Sequence, residues 1–277
     1  AGIVSGTTKI TRDPVGLVMA QNAAKVIQYS GLLKEGFSFQ TGAGGASLAA
    51  AKFLKDIMLR QQIQGSFGLG GITGYMVDML QAGCFRSLLD VQCFDLKAVE
   101  SIRTDPRHQE ISAMHYASPS HRSAVVDSLD VVILGATEID TDFNVNVHTD
   151  SSGCIMGGSG GHSDTAAGAK LAMIIAPMFR ARLPIVTDHV TCVSTPGKDI
   201  DVLVTQGGIA VNEKNRELKE RLTAAGLPVL DIHELKEKAE RITGKPRKMP
   251  RGERTVAEVI SREGTLQDVI YSVPDQD

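Results

Sequence analysis

The sequence predicts an α/β protein: a three-layer αβα arrangement in which helices cover both faces of a mostly parallel β-sheet. Short, continuous apolar runs are typical of buried parallel strands, and the chain has clear examples at residues 131–134, 171–175 and 202–205. Two charged segments, residues 213–225 and 234–243, have the spacing of amphipathic surface helices. Apolar runs that alternate with amphipathic helices are the pattern of α/β proteins.

The first elements along the chain are a helix, a strand, a glycine loop and a second helix. Asp13 followed by Pro14 predicts the first helix start, because aspartate caps free amides and proline needs no amide partner there. Gly31 suits the end of that helix. Residues 37–41 alternate and predict a strand that ends in the glycine loop, and Ser47 is expected to cap the helix that follows.

The rest of the chain predicts smaller elements and an extension. Two further apolar runs, 185–187 and 229–232, predict short strands. The composition then becomes basic and interrupted by prolines, which predicts a linker or strap with one short element at residues 256–260. We therefore expect residues 1–243 to form the α/β domain and residues 244–277 to form a C-terminal strap or extension.

The composition argues against several classes of protein. The chain of 277 residues has 29 basic and 32 acidic residues, so it lacks the positive surplus that nucleic-acid-binding proteins usually carry. No apolar run approaches the roughly 20 residues that a membrane helix needs. The 4 cysteines have no Cys-x-x-Cys spacing, and the 7 histidines have no spacing typical of metal ligands. These features predict a reduced, cytoplasmic protein without a metal site, which binds neither nucleic acid nor a membrane.

Glycine is the unusual part of the composition, because the chain has 28 glycines, about a tenth of its residues. Three clusters are expected beside strand ends, at residues 42–45, 68–74 and 157–161. Glycine lets the backbone approach a ligand closely and expose its amides to a phosphate or an oxyanion. The spacing fits neither a dinucleotide-binding loop nor a P-loop. The clusters therefore predict another kind of ligand site at the carboxyl ends of the strands.

One cluster also fits a hydrolase motif. Residues 157–161 satisfy Gly-x-Ser-x-Gly with Ser159 as the nucleophile, and Asp188 and His189 follow in the order that such enzymes use. The preceding residues 149–153 are typical of a turn, whereas the motif requires a strand. A serine hydrolase is therefore kept as an alternative.

Several motifs occur together in the order that one known family shows. They are a strand, Gly-x-Gly loop and helix at residues 37–48, Leu-Gly-Ala-Thr-Glu-Ile-Asp at 134–140, Asn144 or Asn146, Gly-Ser-Gly-Gly-His-Ser-Asp at 158–164, and Gly-Ala-Lys at 168–170. Over most of residues 14–232 the chain thus resembles the coenzyme A transferases, and specifically the second half of their two-part fold. The resemblance implies the fold shared by the NagB, RpiA and CoA-transferase families. It also implies that the chain is part of a longer subunit.

The resemblance implies which residues form the site. The amide donors for the oxyanion would come from the first and third clusters: Gly44, Gly45, Gly160 and Gly161. The residues expected to bind substrate or the CoA moiety are Gly42, Ala43, Phe67, Gly68, Glu138, Asn146, Gly158, Ser159 and His162. Family members that form a glutamyl thioester have a glutamate where this chain has Phe67. Because phenylalanine cannot act as a nucleophile, we expect transfer within a ternary complex.

The resemblance is closest to the citrate-using branch of the family. It implies that citrate displaces acetate from an acetyl thioester, carried by an acyl carrier protein on a prosthetic group derived from dephospho-coenzyme A, or from acetyl-CoA. No cofactor is expected to be bound covalently to this chain. A separate lyase subunit would cleave the citryl product, and the expected assembly is an oligomer with the carrier and lyase subunits. A non-catalytic scaffold for those subunits is the other alternative.

Overall fold

The structure, a computed structural model, describes residues 8–246 and 250–272. Within them it has eight α-helices: α1 Pro14–Tyr29, α2 Gly45–Gln61, α3 Gly74–Gln81, α4 Leu96–Thr104, α5 Ala113–Ala117, α6 His162–Gly168, α7 Arg216–Ala224 and α8 Ile232–Thr243. The same residues contain sixteen strands: β1 Phe39–Thr41, β2 Gly65–Ile72, β3 Phe85–Cys93, β4 His108–Glu110, β5 Val131–Leu134, β6 Glu138–Asp140, β7 Val145–Asn146, β8 Leu171–Ile175, β9 Phe179–Arg180, β10 Leu183–Pro184, β11 Val186–Thr187, β12 Val202–Thr205, β13 Gly208–Val211, β14 Val229–Leu230, β15 Thr255–Ile260 and β16 Leu266–Tyr271.

Nine of these strands form one sheet, in the order β14-β13-β12-β8-β5-β1-β2-β3-β4. Every neighbouring pair is parallel except β12 and β13, which form an antiparallel hairpin. The predicted runs coincide with β5, β8 and β12, and the predicted surface helices are α7 and α8. The prediction of a mixed α/β fold with a largely parallel sheet is confirmed.

Each face of the sheet has its own apolar core, because alternate residues of a strand point to opposite faces. The first core takes Val131 and Ile133 from β5 and packs beneath α1, α2, α3 and α7. The second core takes Val132 and Leu134 and packs beneath α5, α6 and α8. Burial on both faces explains why β5 is a continuous apolar run in the sequence.

Helix α1 begins as predicted, but α2 does not. The Asp13 carboxylate accepts a hydrogen bond from the Gly16 amide at 2.9 Å and caps α1. Helix α2 begins at Gly45, so the prediction that Ser47 caps it is wrong. A Cβ on Gly45 would lie 3.1 Å from the carbonyl oxygen of Lys9. Because glycine has no side chain, the segment that contains Lys9 can pack against the first turn of α2, and the helix can begin at Gly45.

The second glycine cluster, predicted as a loop, lies mostly within a strand. β2 runs from Gly65 to Ile72 between β1 and β3. A Cβ on Gly68 would lie 2.5 Å from Cε of Met76 and 2.7 Å from Cδ2 of Leu88. The glycines thus permit close packing of β2 against its neighbours, which is a known use of glycine inside a strand.

Two of the shorter predicted strands are only partly right. Residues 186–187 form β11, but this strand belongs to a separate three-stranded sheet with β6 and β7. The run predicted at 229–232 stops at Leu230, where β14 ends. Asp231 then caps α8, because its carboxylate accepts a hydrogen bond from the His233 amide at 2.8 Å.

The C-terminal region forms a β-hairpin. The element predicted at residues 256–260 is β15, and it pairs with β16, which was not predicted. Asp268 on β16 accepts a hydrogen bond from the Val193 amide at 2.6 Å, and Gln267 donates to the Val193 carbonyl at 2.8 Å. These hydrogen bonds attach the hairpin to the segment of the α/β region that contains Val193.

Parts of the two predicted domains fall outside the described residues, namely 1–7, 247–249 and 273–277. The predicted boundary between residues 243 and 244 stays a prediction. None of the helices in residues 8–246 and 250–272 combines the length and the apolar character that crossing a bilayer requires.

Candidate active site

The first and third glycine clusters both lie at the carboxyl edge of the sheet, near the end of β5. The first cluster follows β1, and its Gly42 amide donates to the Ile133 carbonyl of the neighbouring strand β5 at 3.2 Å. The third cluster ends where α6 begins, and His162 at that helix start donates to the carbonyl of Gly135, just after β5, at 2.9 Å. Ligand sites of parallel α/β sheets lie at this edge.

His162 joins three segments there. Its Nε2 faces the Gly135 carbonyl, which can only accept, so the proton is on Nε2 and Nδ1 accepts from the Thr195 hydroxyl at 2.8 Å. Burial lowers the pKa of His162 to about 4, and the ring is therefore neutral at pH 7. Both nitrogens are used within the protein, which makes His162 a positioning residue in this conformation. Its expected contact with a ligand stays a prediction.

Gln40 and Tyr116 form a polar pair at the same edge, which no motif in the sequence indicated. Gln40 lies on β1 and is 8% exposed. Its Nε2 donates to the Tyr116 hydroxyl oxygen at 2.8 Å, whereas its Oε1 has no hydrogen-bond partner among the described residues. A buried acceptor left without a partner costs about 1–3 kcal/mol. This oxygen therefore needs a donor from outside the chain, such as a ligand or a bound water.

Tyr116 connects this pair to the third glycine cluster. Burial raises the pKa of Tyr116 to about 12, so its hydroxyl keeps a proton that it can donate. A Cβ on Gly161 would lie 2.9 Å from the hydroxyl oxygen. A Cβ on Gly70, in β2, would lie 2.9 Å from Cδ of Gln40. Glycine at both positions leaves room for the pair and brings β2 to the same place.

Backbone amides at this edge are available to an anion. The amides of residues 45–47 precede the first intrahelical bond of α2, which runs from the Leu48 amide to the Gly44 carbonyl at 2.9 Å. In the third cluster, Gly158 is exposed and Gly160 has a φ of 55°, a conformation that glycine adopts without strain. Such amides are suited to stabilise negative charge on oxygen.

A cleft of about 350 Å³ lies over the third cluster. Gly158 and Ser159 line it together with His148 and Ser194, and Val259 of the hairpin contributes to another wall. Nδ1 of His148 is 2.6 Å from the Ser194 hydroxyl, and burial lowers the pKa of His148. The C-terminal hairpin thus helps to enclose the space beside the glycine amides.

Glu138 and Asn146 are brought together, and their side chains are bonded to each other and to neighbouring parts of the chain. Both side chains are buried, and Nδ2 of Asn146 donates to Glu138 at 3.2 Å and to the Thr149 hydroxyl at 2.8 Å. The Thr191 amide donates to the same Glu138 oxygen at 2.8 Å. The two predicted residues therefore hold the loop that leads into the cluster.

Of the four remaining predicted binding residues, three lie at the site or on the same face of the sheet, and Gly68 does not. Gly42 and Ala43 are half-buried in the loop after β1, at the site. Phe67 lies within β2 and packs on the second core, the face that also holds Tyr116. Gly68 faces the first core, on the opposite side of the sheet, and the structure does not bring it to the site.

The structural context of a serine hydrolase is absent. The motif needs a strand directly before Ser159, whereas residues 147–161 have only an isolated bridge. Asp188 pairs with Lys236 at 2.9 Å and His189 is exposed. Among the described residues no hydrogen bond joins Ser159, His189 and Asp188 into a triad.

Comparison with known proteins indicates the family to which this chain belongs. A family model described as "Citrate lyase, alpha subunit (CitF)" matches residues 1–273. The citrate lyase alpha chain of Klebsiella pneumoniae is 50% identical over 275 residues, which are 99% of this chain and 54% of that protein. The corresponding chain of Escherichia coli strain K12 is 50% identical over 273 residues, with the same shares of 99% and 54%.

A solved structure agrees with these matches. The crystal structure of the putative alpha subunit of citrate lyase from Streptococcus mutans, in complex with citrate, matches with a TM-score of 0.95 and 46% identity. The match covers 98% of this chain and 53% of that one, so the chain spans about half the length of the relatives it matches. With the family model matching residues 1–273 and the relatives at about half identity, this chain belongs to the family of citrate lyase alpha subunits.

Proposed function

We propose that this chain is part of a citrate CoA-transferase, which moves the thioester of an acyl carrier protein from acetate to citrate. Its family supports this, as does the Streptococcus mutans relative, which was solved with citrate. The observation that carries the proposal is the buried Gln40 Oε1 without a partner in the described residues, beside the Tyr116 hydroxyl and the glycine amides. An acceptor, a donor and free amides together suit a substrate with a hydroxyl group and carboxylates.

The proposed reaction has two steps within one ternary complex. A citrate carboxylate attacks the carbonyl carbon of the acetyl thioester, and the carrier thiolate leaves, which gives a mixed anhydride of citrate and acetate. The thiolate then attacks the citryl carbonyl of the anhydride, and acetate leaves. Each attack creates an oxyanion, and removal of one donor to such an oxyanion typically costs about 10²–10³ in rate.

In this proposal the residues have separate roles. Tyr116 donates to the oxyanion or to a substrate carboxylate, and Gln40 Oε1 accepts from the citrate hydroxyl. Phe67 provides no nucleophile, so no glutamyl thioester forms on the chain. The backbone donors are the amides of Gly44, Gly45, Gly160 and Gly161.

The proposal also covers the partners. The substrate thioester is carried by an acyl carrier protein on a prosthetic group derived from dephospho-coenzyme A, and a lyase subunit cleaves the citryl product within an oligomeric citrate lyase complex. No cofactor is covalently attached to this chain, and its fold is that of the CoA-transferases. Because the chain spans about half the length of its relatives, we expect activity in a complete subunit that contains it.

The test measures release of labelled acetate from acetyl-carrier protein after citrate is added to such a complete subunit. Tyr116→Phe removes one donor but keeps the ring, and we expect kcat to fall by about 10². The matched control is Tyr29→Phe on α1, where the ring is 42% exposed, and its kcat should equal that of the wild type. Thermal unfolding confirms that both variants fold.

Four outcomes would count against the proposal. An unchanged kcat in Tyr116→Phe contradicts the role of this residue. A covalent acyl adduct trapped on the chain contradicts transfer within a ternary complex. Carrier binding without any transfer favours a scaffold, and ester hydrolysis lost in Ser159→Ala favours a serine hydrolase.

A further inference from the structure

A second polar cluster lies near one end of the sheet, on β3 and β4. It consists of Asp90, Cys93 and His108, called the Asp90 cluster below. His108 begins the edge strand β4 and pairs with Leu88, a residue of the first core. Tyr116 belongs to the second core, on the other face of the sheet. The Asp90 cluster therefore lies on the opposite face of the sheet from Tyr116.

A β-bulge brings Asp90 and Cys93 to the same side of β3. Two consecutive residues of β2 face Asp90 and Gln92, which leaves Val91 as an extra residue in β3. In a regular strand, residues three positions apart point to opposite faces. The extra residue redirects the chain, as bulges do, and Cys93 Sγ lies 2.9 Å from Oδ2 of Asp90.

The cluster is closely arranged and largely buried. Nε2 of His108 lies 3.1 Å from the same Oδ2, and the side chains of His108 and Asp90 are 0% and 1% exposed. The Gln92 amide donates to the other carboxylate oxygen at 2.7 Å, and Nδ1 of His108 is 2.9 Å from the Ser101 hydroxyl on α4. One ligand atom from each of the three residues lies within 4.8 Å of the others.

The surroundings of the thiol are negatively charged. Burial, followed by the carboxylates of Asp90, Asp95 and Glu110, raises the pKa of Cys93 to about 12. The three carboxylates give the cluster a negative environment, which favours a divalent cation.

We propose that the Asp90 cluster binds one Zn²⁺ ion through Oδ2 of Asp90, Sγ of Cys93 and Nε2 of His108, with water as the fourth ligand. Zinc takes carboxylate, thiolate and imidazole ligands, and the two anionic ligands neutralise its charge. On binding, the thiol proton passes to solvent. The proton that Nε2 of His108 directs at Asp90 leaves that nitrogen, and the ring then carries its one proton on Nδ1, where the Ser101 hydroxyl accepts it.

The geometry needs only a small adjustment. Tetrahedral zinc with bonds of about 2.0–2.3 Å separates its ligand atoms by about 3.5 Å. Oδ2 of Asp90 would thus move about half an ångström away from each of the other two atoms, which now lie 2.9 and 3.1 Å from it. The Gln92 amide and the Ser101 hydroxyl already orient the carboxylate and the ring, as partners of metal ligands commonly do. The ion would join the edge strand β4 to β3.

The experiment adds Zn²⁺, and separately Co²⁺, to a complete subunit that contains this sequence, and measures bound metal after dialysis. We expect Cys93→Ser to bind one zinc fewer per chain than the wild type and to lose the thiolate-to-cobalt charge-transfer band. The serine hydroxyl can still donate to Asp90, so the variant should fold. Cys154→Ser, which changes an exposed cysteine elsewhere, is the matched control and should bind metal as the wild type does.

Further variants separate a ligand from a structural side chain. Ser101→Ala leaves all three ligands and should weaken zinc binding by about 10- to 100-fold. His108→Gln should lose the same zinc equivalent as Cys93→Ser. Equal zinc content and an equal cobalt spectrum in the wild type and Cys93→Ser overturn the proposal, and so does loss of the cobalt band in Cys154→Ser alone.

Discussion

His162 shows how one buried side chain sets the geometry of a site that is built from loops. Its two partners, Gly135 and Thr195, are 27 and 33 residues away in the sequence. The sequence places this histidine directly after a glycine cluster, which suggests a contact with a ligand. Its neutral form and its two internal hydrogen bonds follow only from the fold, which buries it.

At this scale we predict a pH dependence of stability. The pKa of His162 is about 4 in the folded protein and about 6.5 in a model peptide, so the unfolded state binds more protons between these values. The stability associated with neutral His162 is fully present above pH 6.5 and is lost as the pH falls towards 4, by about 3 kcal/mol. Between pH 7 and pH 4, the free energy of unfolding of His162→Gln should therefore fall by about 3 kcal/mol less than that of the wild type.

Urea unfolding at each pH measures the difference between the two proteins, in which the other titrating groups largely cancel. Parallel curves for the wild type and His162→Gln would show that this ring does not carry the dependence.

Gln40 and Tyr116 were not found from the sequence for a related reason. They are 76 residues apart, and Gln40 is a single polar residue in a strand whose neighbours are buried. A polar residue in a buried strand indicates a hydrogen-bond partner elsewhere in the fold, because a buried polar group needs one. Nothing in the sequence states which partner it has, or that one of its atoms is left without any.

At the scale of helices and strands, the strands that the sequence predicted correctly are those that are buried on both faces. β5, β8 and β12 were predicted with their boundaries because both of their faces are apolar and buried. β2 was not predicted, because its glycines fit the side chains of neighbouring elements and leave no apolar run. The position of the first cluster at a strand end followed from the strand–loop–helix pattern. The third cluster has no strand directly before it, and its place at the same edge depends on the contact of His162 with Gly135 and on the pairing of β1 with β5, which no local pattern contains.

A prediction for β2 follows from this packing. In Gly65→Ala the new methyl group would lie 2.6 Å from two ring carbons of Phe85 and would also contact the Phe37 carbonyl oxygen. Because this oxygen belongs to the backbone, it cannot move freely, and we expect the free energy of unfolding to fall by about 1–3 kcal/mol. Denaturant unfolding measures the change.

Gly158→Ala is the matched control for stability, because a Cβ there would have no atom within 4 Å. It should change the free energy of unfolding by less than about 0.5 kcal/mol. If both alanines cost the same, close packing is not the reason for glycine in β2.

At the scale of the whole molecule, the C-terminal hairpin is a separate element fastened to the α/β region at a few points. The Asp268 carboxylate accepts the Val193 amide, and Val259 and Ile270 pack with Cys192 in a small third core. A composition shift indicated that the chain changes character here. It did not show that the extension returns to the cleft beside the glycine amides.

Because a few hydrogen bonds attach the C-terminal hairpin, we predict that removing one of them lets the hairpin open more often. Asp268→Ala removes the acceptor of the Val193 amide, and a hydrogen bond to a charged group contributes about 1.5–3 kcal/mol. We expect limited proteolysis to cut the hairpin at least about tenfold faster, with the α/β region remaining intact. Glu258→Ala, an exposed change on the same hairpin, should be cut at the wild-type rate. Equal cutting of all three proteins would mean that the hairpin is held by other contacts.

The two ends of the large sheet have a consequence for how this protein behaves in concentrated solution. The sheet ends in β4, with three residues, and in β14, with two. Long, exposed edge strands act as templates on which other chains add strands and aggregate, and very short ones do not. The nine-stranded sheet is thus shielded against growth at either end. Other chains are therefore not expected to add strands to either end of this sheet.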